Sequence, residues 1–288
     1  DGTPTNAIFG LTQMLLKIMD MKPDYMAVAF DTPKPTFRHI EYPDYKAHRK
    51  AIPDDLIPQT YLARDLIRAF NIPVLECEGF EADDIIGTLS NAADHADILT
   101  TIVTGDMDSL QLVNDMTSVM TTVKGVTDTI TYDPDGVLNK YGITPDFMVD
   151  YKGLKGDPSD NIPGVPGIGD KTAVDLIKRF GTVEDILDHI DELPEGKVKR
   201  TLTENREIAH ISKHLATIVK NVPVSTNFSE YLFTNPDYPA LRELFVKLEF
   251  NNLLRRIPEV SKGDTQSSTS QMTTECSIIS EQDQLDSL

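Results

Sequence analysis

Residues 156–173 read GDPSDNIPGVPGIGDKTA and join a turn rich in carboxylates to a glycine-rich entry into a helix. Asp157 and Asp160 lie three positions apart, and the proline and serine between them favour a tight turn that directs both carboxylates to one side. The glycines that follow allow a close backbone approach, and the helix predicted to begin near Asp170 offers unpaired N–H groups to a phosphate. A solvated loop rich in glycine and proline is the alternative explanation for either motif alone. Together they favour a metal-dependent reaction on a nucleic-acid backbone.

Short apolar runs alternate with helical stripes over the first half of the chain. Strands are predicted at 25–30, 73–76, 98–104, 118–123 and 129–132. Helices are predicted at 6–19, 58–70 and 82–93. This alternation is typical of a mostly parallel sheet flanked by helices. Beyond Pro134 the pattern is helical almost to Arg256, which predicts a smaller helical subdomain.

The composition indicates a globular protein of a reducing compartment. The 288 residues are 40% apolar, and the two cysteines are too few for a disulfide framework. No run of 18 apolar residues is present, so the sequence predicts no membrane span. The net charge of −19 argues against nucleic-acid binding. However, most of that excess comes from the acids after residue 258 and from the cluster described next.

Eight acids lie where ligands bind to parallel sheets, beyond the carboxyl ends of the strands or in the turn after them. The predicted metal ligands are Asp31, Glu81, Asp83, Asp84, Asp106, Asp108, Asp157 and Asp160. Each alone is also explained as a turn former or a helix-start acid. Two carboxylates about 4 Å apart repel by roughly 4 kcal/mol at an effective dielectric near 20, so a convergent set predicts bound divalent cations. Ligands that are all oxygen favour Mg²⁺ or Mn²⁺ over zinc, and two such ions suit phosphodiester hydrolysis.

The segment from Lys34 to Lys50 is basic and aromatic, and it directly follows Asp31. We therefore expect it to rise beside the metal site. Cations interleaved with aromatic rings suit a single nucleic-acid strand, through phosphate contacts and base stacking. A solvated loop is the alternative.

These motifs resemble those of the 5′-nuclease family, which comprises the 5′→3′ exonuclease domain of bacterial DNA polymerase I, phage 5′ exonucleases and flap endonucleases. The similar motifs are Ala-Phe-Asp at 29–31, Gly-Phe-Glu-Ala-Asp-Asp at 79–84, Thr-Gly-Asp-x-Asp at 104–108 and the turn at 156–161. The polymerase I branch is the most similar. The resemblance implies a PIN-like α/β fold with a mostly parallel central sheet flanked by helices, and a helical subdomain containing a helix-hairpin-helix.

The resemblance also implies an activity and its partners. We expect a structure-selective 5′→3′ exonuclease and flap endonuclease that uses two Mg²⁺ or Mn²⁺ ions, with a monovalent cation at the helix-hairpin-helix. Its expected substrates are nicked, flapped or 5′-overhang DNA duplexes and RNA–DNA primer junctions, in replication and repair. We expect a monomer in the bacterial cytoplasm, associated with the nucleoid and not with a membrane.

Residue roles follow from the same resemblance. Arg38, Lys46 and Arg49 match catalytic positions that hold the scissile phosphate. The expected DNA-binding residues are Lys34, Phe37, Tyr45, Lys50, Gly164, Gly167, Gly169, Lys171, Thr172 and Lys178. The predicted segments are an α/β core at 1–133 with a helical arch at about 34–57, a helical subdomain at 134–258 with the helix-hairpin-helix at about 162–180, a disordered linker at 259–275, and the start of a truncated, proofreading-like domain at 276–288.

One departure and three alternatives accompany this interpretation. The family begins with a strand ending in an aspartate, and nothing here precedes Asp1, so we expect this chain to lack that carboxylate and to be less active than the intact protein. The alternatives are a stand-alone 5′ exonuclease of the same family, a DNA-binding module without turnover, and a small-molecule phosphatase built on Asp106 and Asp108. The phosphatase needs neither the hairpin nor the basic segment.

Overall fold

The strands form two small sheets in the computed structural model, which describes residue 2 and residues 4–125 and 128–258. They are β1 Val28–Ala29, β2 Val74–Leu75, β3 Thr100–Val103, β4 Thr117–Lys124 and β5 Asp128–Tyr132. β1 pairs with β2 and β3 with β4 in parallel, whereas β5 runs antiparallel to β4. The predicted parallel character is confirmed, although the described strands form a two-stranded and a three-stranded sheet. The predicted linker at 259–275 and domain start at 276–288 lie outside the described residues.

Helices make up most of the remaining structure. Over the described ranges they are α1 Asn6–Asp20, α2 Phe37–Glu41, α3 Ile57–Ala69, α4 Ala82–His95, α5 Pro134–Tyr141, α6 Met148–Lys155, α7 Asp170–Phe180, α8 Val183–Asp188, α9 Lys197–Glu204, α10 Arg206–Ala216, α11 Tyr238–Lys247 and α12 Asn251–Leu254. A 3₁₀ helix, Met107–Leu112, follows β3. In this part of the chain, none of the helices has the length and apolar character needed to cross a bilayer.

Helix α4 links the two sheets because it packs against both β1 and β3. Its apolar face includes Ile85, which is fully buried. Its start is fixed by a reciprocal cap: the side chain of Glu81 bonds to the backbone of Asp84, and the Asp84 side chain bonds to the backbone of Glu81. The capped first turn therefore stands where both β1 and β3 end.

The core is built in two parts, and each part joins distant regions of the chain. One cluster packs β3 and β4, including Ile102, against helices α6 to α9, including Leu154. The other packs α1 and α3 against α11 and α12, with Leu66 and Phe245 fully buried. Both clusters include residues from either side of the predicted boundary after residue 133. That boundary stays a prediction, and it does not separate two cores.

Candidate carboxylate and metal site

An open cleft of about 470 Å³ lies at the carboxyl end of β3. The charged residues that line it are Arg49, Asp106, Asp108, Lys152, Lys155 and Asp157. Asp106 caps the 3₁₀ helix, since its Oδ1 accepts a 2.9 Å hydrogen bond from the backbone N–H of Asp108. The strand end and the cap together fix both acids at the rim of the cleft.

Lys152 on α6 bridges two of these acids. Its ammonium donates to Oδ1 of Asp108 and, at 2.7 Å, to Oδ2 of Asp157. Burial opposes ionisation of Asp157, but hydrogen bonds from Lys152 and Ser159 outweigh it and lower the pKa of Asp157 to about 2. The sequence motifs predict no role for Lys152. The available signal was its place on the helix that leads directly into the Asp157 turn.

The start of α4 holds a second group of acids. Glu81 is buried, and Asp83 faces Glu81, Asp108 and Asp160 across a small polar pocket. Asp31 is exposed at the end of β1, and its Oδ1 accepts a 2.8 Å hydrogen bond from the N–H of Ala82. The capped start of α4 thus brings acids from β1, the 3₁₀ helix and the Asp157 turn to one end of the fold.

Tyr45, Lys46 and Arg49 of the basic segment contact Glu81 or Asp160 directly. The ammonium of Lys46 donates to Glu81 Oε1 at 2.7 Å, and Arg49 Nη2 donates to Asp160 Oδ1 at 2.7 Å. The hydroxyl of Tyr45 lies 3.1 Å from both Glu81 and Asp160. Burial, then the charges of Glu81 and Asp160, raise the pKa of Tyr45, so its hydroxyl remains a donor. Lys46 and Arg49 thus lie at the acids, and their contact with the scissile phosphate stays a prediction. Tyr45 is buried.

Arg38 and Asp84 are placed differently from what the resemblance implies. The guanidinium of Arg38 bonds both oxygens of Asp84, at 2.7 and 2.8 Å. Arg38 is 2% exposed and Asp84 is fully buried. As placed, each side chain bonds inside the protein instead of presenting its charge to a phosphate or a metal.

The remaining acids are too crowded to ionise freely. Burial, followed by the charges of Asp106 and Asp108, raises the pKa of Asp83 to about 7. Burial raises the pKa of Asp108 to about 6 in spite of Lys152. A divalent cation would offset this excess of negative charge, and a set of carboxylate oxygens suits Mg²⁺ or Mn²⁺. Among the residues that the structure describes, no three acids stand ready to ligate one ion; Glu81, Asp108, Asp157 and Asp160 bond instead to lysine or arginine.

We expect Asp83→Asn to stabilise the metal-free protein increasingly as the pH rises from 4 to 8. The folded state binds a proton at Asp83 more tightly than the unfolded state does, so ionisation of this group costs stability between about pH 4 and pH 7. One pKa unit corresponds to about 1.4 kcal/mol, so a rise of the pKa from 3.8 to about 7 predicts a gain of about 4 kcal/mol at pH 8. Urea unfolding at pH 4, 6 and 8 with EDTA measures it, with Asp115→Asn as the exposed control. If the free energy of unfolding differed between Asp83→Asn and the wild type by the same amount at all three pH values, the raised pKa of Asp83 would be contradicted.

The rest of the basic segment is mostly non-helical, and much of it is exposed. Only α2 is helical between residues 34 and 56, because Pro43 and Pro53 interrupt helical hydrogen bonding. The expected helical arch is therefore a short helix followed by turns in this structure. Lys34 pairs with Glu78 on the surface, and Lys50 is exposed. Phe37 lies beneath the guanidinium of Arg38, 4.5 Å from ring centroid to Cζ.

The hairpin between α6 and α7 separates its glycines into two kinds. Gly164 is buried where the chain crosses Gly156, and its N–H donates to Ser212 Oγ at 3.0 Å. Gly167 and Gly169 are exposed before α7. The predicted contacts on that helix are placed outward: Lys171 and Lys178 are exposed and Thr172 is partly exposed. Five of the six expected hairpin residues thus lie at the surface, and Gly164 does not.

We expect Gly164→Ala to unfold the hairpin and not merely to weaken DNA binding. A Cβ at Gly164 would stand 2.2 Å from the backbone nitrogen of Gly156 and 2.4 Å from the carbonyl carbon of Lys155, at a φ of +62°. Neither backbone atom can move away easily, so we expect a loss of about 3 kcal/mol or more. Gly169→Ala is the matched control, since nothing lies within 4 Å of its Cβ. Equal unfolding temperatures for Gly164→Ala and Gly169→Ala would contradict the close packing of Gly164 against the backbone of Lys155 and Gly156.

Two family models divide most of the chain between them. The 5′-3′ exonuclease N-terminal resolvase-like domain matches residues 1–142, and the 5′-3′ exonuclease C-terminal SAM fold matches residues 143–239. DNA polymerase I of Bacillus caldotenax is 45% identical over 264 residues, which are 91% of this chain and 30% of that protein. DNA polymerase I of Bacillus subtilis is 43% identical over 261 residues, 90% of this chain and 30% of that protein. The chain thus spans about 30% of the length of these relatives.

Solved structures share the fold at lower identity. The phage T5 5′-exonuclease with bound zinc aligns with a TM-score of 0.63 at 20% identity, covering 88% of this chain and 91% of that one. The catalytic core of Rad2 in complex with a DNA substrate aligns with a TM-score of 0.54 at 18% identity, covering 83% and 78% of the two chains. These likenesses show the predicted PIN-like and helical architecture. Taken with the two family models and the relatives, they show that this chain belongs to the 5′-3′ exonuclease family.

Proposed function

We propose that this chain is the 5′→3′ exonuclease and flap endonuclease domain of a DNA polymerase I, and that it hydrolyses phosphodiesters near the 5′ end of a duplex. The observation that carries the proposal is the convergence of acids from the start of α4 and the end of β3. Burial, together with the charges of the crowded neighbouring acids, raises the pKa values of Asp83 and Asp108 there. Such crowding is typical of a site completed by divalent cations.

The residues that would hold Mg²⁺ or Mn²⁺ are the acids of this end of the fold other than Asp84, whose two oxygens are both bonded by Arg38. They are Asp31, Glu81, Asp83, Asp106, Asp108, Asp157 and Asp160. Two bound ions would supply polarisation of the phosphodiester and a hydroxide nucleophile at neutral pH. A monovalent cation at the helix-hairpin-helix is a further part of the proposal, supported by the exposed backbone at Gly167 and Gly169.

The chain's own cations would bind and orient the substrate. Arg49 has half of its side chain exposed and lies in the cleft wall, so it is placed to bind the scissile phosphate. Lys46 is the second candidate, since it lies on the acids with 13% of its side chain exposed. Both side chains bond to acids here, and cations bound to those acids would free them for a phosphate.

The DNA path is proposed from the surface that surrounds the site. Lys34, Phe37 and Lys50 lie on the segment beside the acids, and the exposed hairpin residues lie further along the chain. Backbone N–H groups at the start of α7, with Lys171 and Lys178, suit duplex phosphates without regard to sequence. We propose nicked, flapped and 5′-overhang duplexes and RNA–DNA primer junctions as substrates. We also propose a monomeric enzyme of replication and repair in the bacterial cytoplasm, near the nucleoid.

A flap-cleavage assay tests the proposal. A 5′-labelled flap duplex is incubated with this chain in Mg²⁺ or in EDTA. We expect release of short 5′ products that depends on Mg²⁺. Binding of the flap without any cutting in Mg²⁺ would replace the nuclease with a DNA-binding module.

A further inference from the structure

A segment of the helical region lies directly across the acid-bearing elements. It comprises residues 215–222, which we call the strap, and it contains the end of α10 and the residues that follow. Four of its side chains are at most 5% exposed, those of Leu215, Ala216, Ile218 and Val222. The strap is therefore part of the interior, although it belongs to the stretch matched by the C-terminal family model.

Arg38 bonds the strap to the basic segment. Its Nε donates to the carbonyl of Leu215 at 2.9 Å, and its Nη2 donates to the carbonyl of Thr217 at 2.6 Å. The remaining donors reach Asp84, so all three guanidinium nitrogens bond to protein groups. This fork geometry is one that only arginine provides.

Asp84 bonds the strap to the start of α4. Its Oδ1 accepts a 2.9 Å hydrogen bond from Val219 N–H, and its Oδ2 accepts a 3.0 Å bond from Glu81 N–H. Both oxygens also accept hydrogen bonds from the guanidinium of Arg38. With four hydrogen bonds and no exposure, this carboxylate is fully used within the protein.

Gln111 bonds the strap to the 3₁₀ helix that carries Asp108. Its Nε2 donates to the carbonyl of Ala216 at 3.0 Å, and its Oε1 accepts a 2.9 Å bond from the N–H of Ile218. One turn further along α4, a Cβ at Gly87 would stand 2.5 Å from Cγ2 of Ile218. The strap thus packs closely against both α4 and the 3₁₀ helix. Within the described residues no hydrogen bond joins α4 to the 3₁₀ helix directly.

We propose that Arg38, Asp84 and Gln111 are positioning residues that hold the start of α4 and the 3₁₀ helix in register through the strap, and that Arg38 and Asp84 touch neither phosphate nor metal. The proposal rests on the proposed function, since the aligned groups are Glu81 and Asp83 on one side and Asp108 on the other. It assigns Arg38 and Asp84 roles different from those that the resemblance implies. Groups that orient metal ligands without binding metal typically change metal affinity or activity by about 10- to 100-fold.

The first test uses Gln111, which touches none of the candidate ligands. Binding of Mn²⁺ alone is measured by electron paramagnetic resonance, without DNA, for the wild type, Gln111→Leu and Gln59→Leu. Gln59 is the matched control, a buried glutamine that bonds to Asn6, Ala7, Ile8 and Asp55. We expect Gln111→Leu to raise the Mn²⁺ dissociation constant about tenfold and Gln59→Leu to leave it unchanged. Equal Mn²⁺ affinity in all three proteins would overturn the proposal.

The second test separates positioning from direct contact at Arg38 and Asp84. Mn²⁺ affinity, stoichiometry and the KM for a flap duplex are measured for Arg38→Met, Asp84→Asn and the double variant. We expect each single variant to weaken Mn²⁺ binding, the double variant to be no worse than the poorer single one, and the KM to change less than threefold. Loss of one Mn²⁺ in Asp84→Asn, or a raised KM with normal Mn²⁺ binding in Arg38→Met, would overturn the proposal.

A conservative variant covers the case in which Arg38→Met does not fold. Arg38→Lys keeps the positive charge but cannot reach three partners at once. We expect it to weaken Mn²⁺ binding, whereas retained affinity and retained cleavage would show a simple charge contact. The Mn²⁺ measurement requires no turnover, so a wild-type protein that binds Mn²⁺ but cuts no DNA would refute the proposed function and leave the positioning test intact.

Discussion

Asp106→Asn is expected to abolish Mg²⁺-dependent flap cleavage, with a loss of about a thousandfold or more. Stabilisation of transition-state charge by a metal amounts to several kcal/mol, and each 1.36 kcal/mol corresponds to about tenfold in rate. Asp106 lies at the carboxyl end of β3, and its charge is one of those that raise the pKa of Asp83. Removal of this charge should therefore impair metal binding as well as turnover.

The choice of asparagine separates charge from structure. The side-chain carbonyl of asparagine can still accept the hydrogen bond from Asp108 N–H that caps the 3₁₀ helix, whereas alanine cannot. We expect Asp106→Asn and Asp106→Ala to be equally inactive but Asp106→Asn to be the more stable. Asp115→Asn, on the exposed loop before β4, serves as the active control. Normal cleavage by Asp106→Asn would exclude the acid cluster as the catalytic centre.

Lys152→Met is expected to destabilise the metal-free protein by about 3 kcal/mol at pH 8, because removal of one partner leaves buried charges unpaired. The side chains of Lys152, Asp108 and Asp157 are 12%, 18% and 13% exposed. We expect Mg²⁺ to restore much of the lost stability, since a cation bound at Asp108 and Asp157 would offset their negative charge in place of Lys152. The thermal shift on adding Mg²⁺ should accordingly be larger in the variant than in the wild type.

The comparison needs a lysine whose partner is solvated. Lys199→Met is suitable, because its partner Glu195 is 89% exposed, and exposed pairs contribute less than about 1 kcal/mol. Differential scanning calorimetry with EDTA and with Mg²⁺ on both variants gives the two shifts. If Mg²⁺ raises the unfolding temperature of Lys152→Met no more than that of Lys199→Met, the Lys152 ammonium and Mg²⁺ do not share a site.

The family and the fold were predictable from the sequence because they depend on local patterns. Strand-end acids, the capped start of α4 and the glycine-rich hairpin each carry their signal within a few neighbouring residues. The family models confirm the predicted family, and the strand pairing confirms the mostly parallel arrangement. The split into two sheets was not predictable, since strand pairing depends on contacts between distant segments.

The roles of individual charged residues were harder to predict for the same reason. Lys152 is separated from Asp108 by more than forty positions, so its bridge has no local signature. In the sequence Arg38 is one cation among several in a basic segment, yet its partners include Leu215 at the end of α10 and Thr217 directly after it. The burial of Gly164 could not be predicted either, since the sequence shows that a glycine is present but not which backbone segment packs against it.

The strap has a consequence for anyone who recombines members of this family. A junction at residue 142 looks natural from the two family models, yet Arg38, Asp84 and Gln111 stand before it and residues 215–222 stand after it. A chimera assembled there from two relatives would inherit the two halves of a buried hydrogen-bond network from different parents. Grafts should therefore transfer these three side chains together with the strap as a single unit, whichever parent supplies the rest.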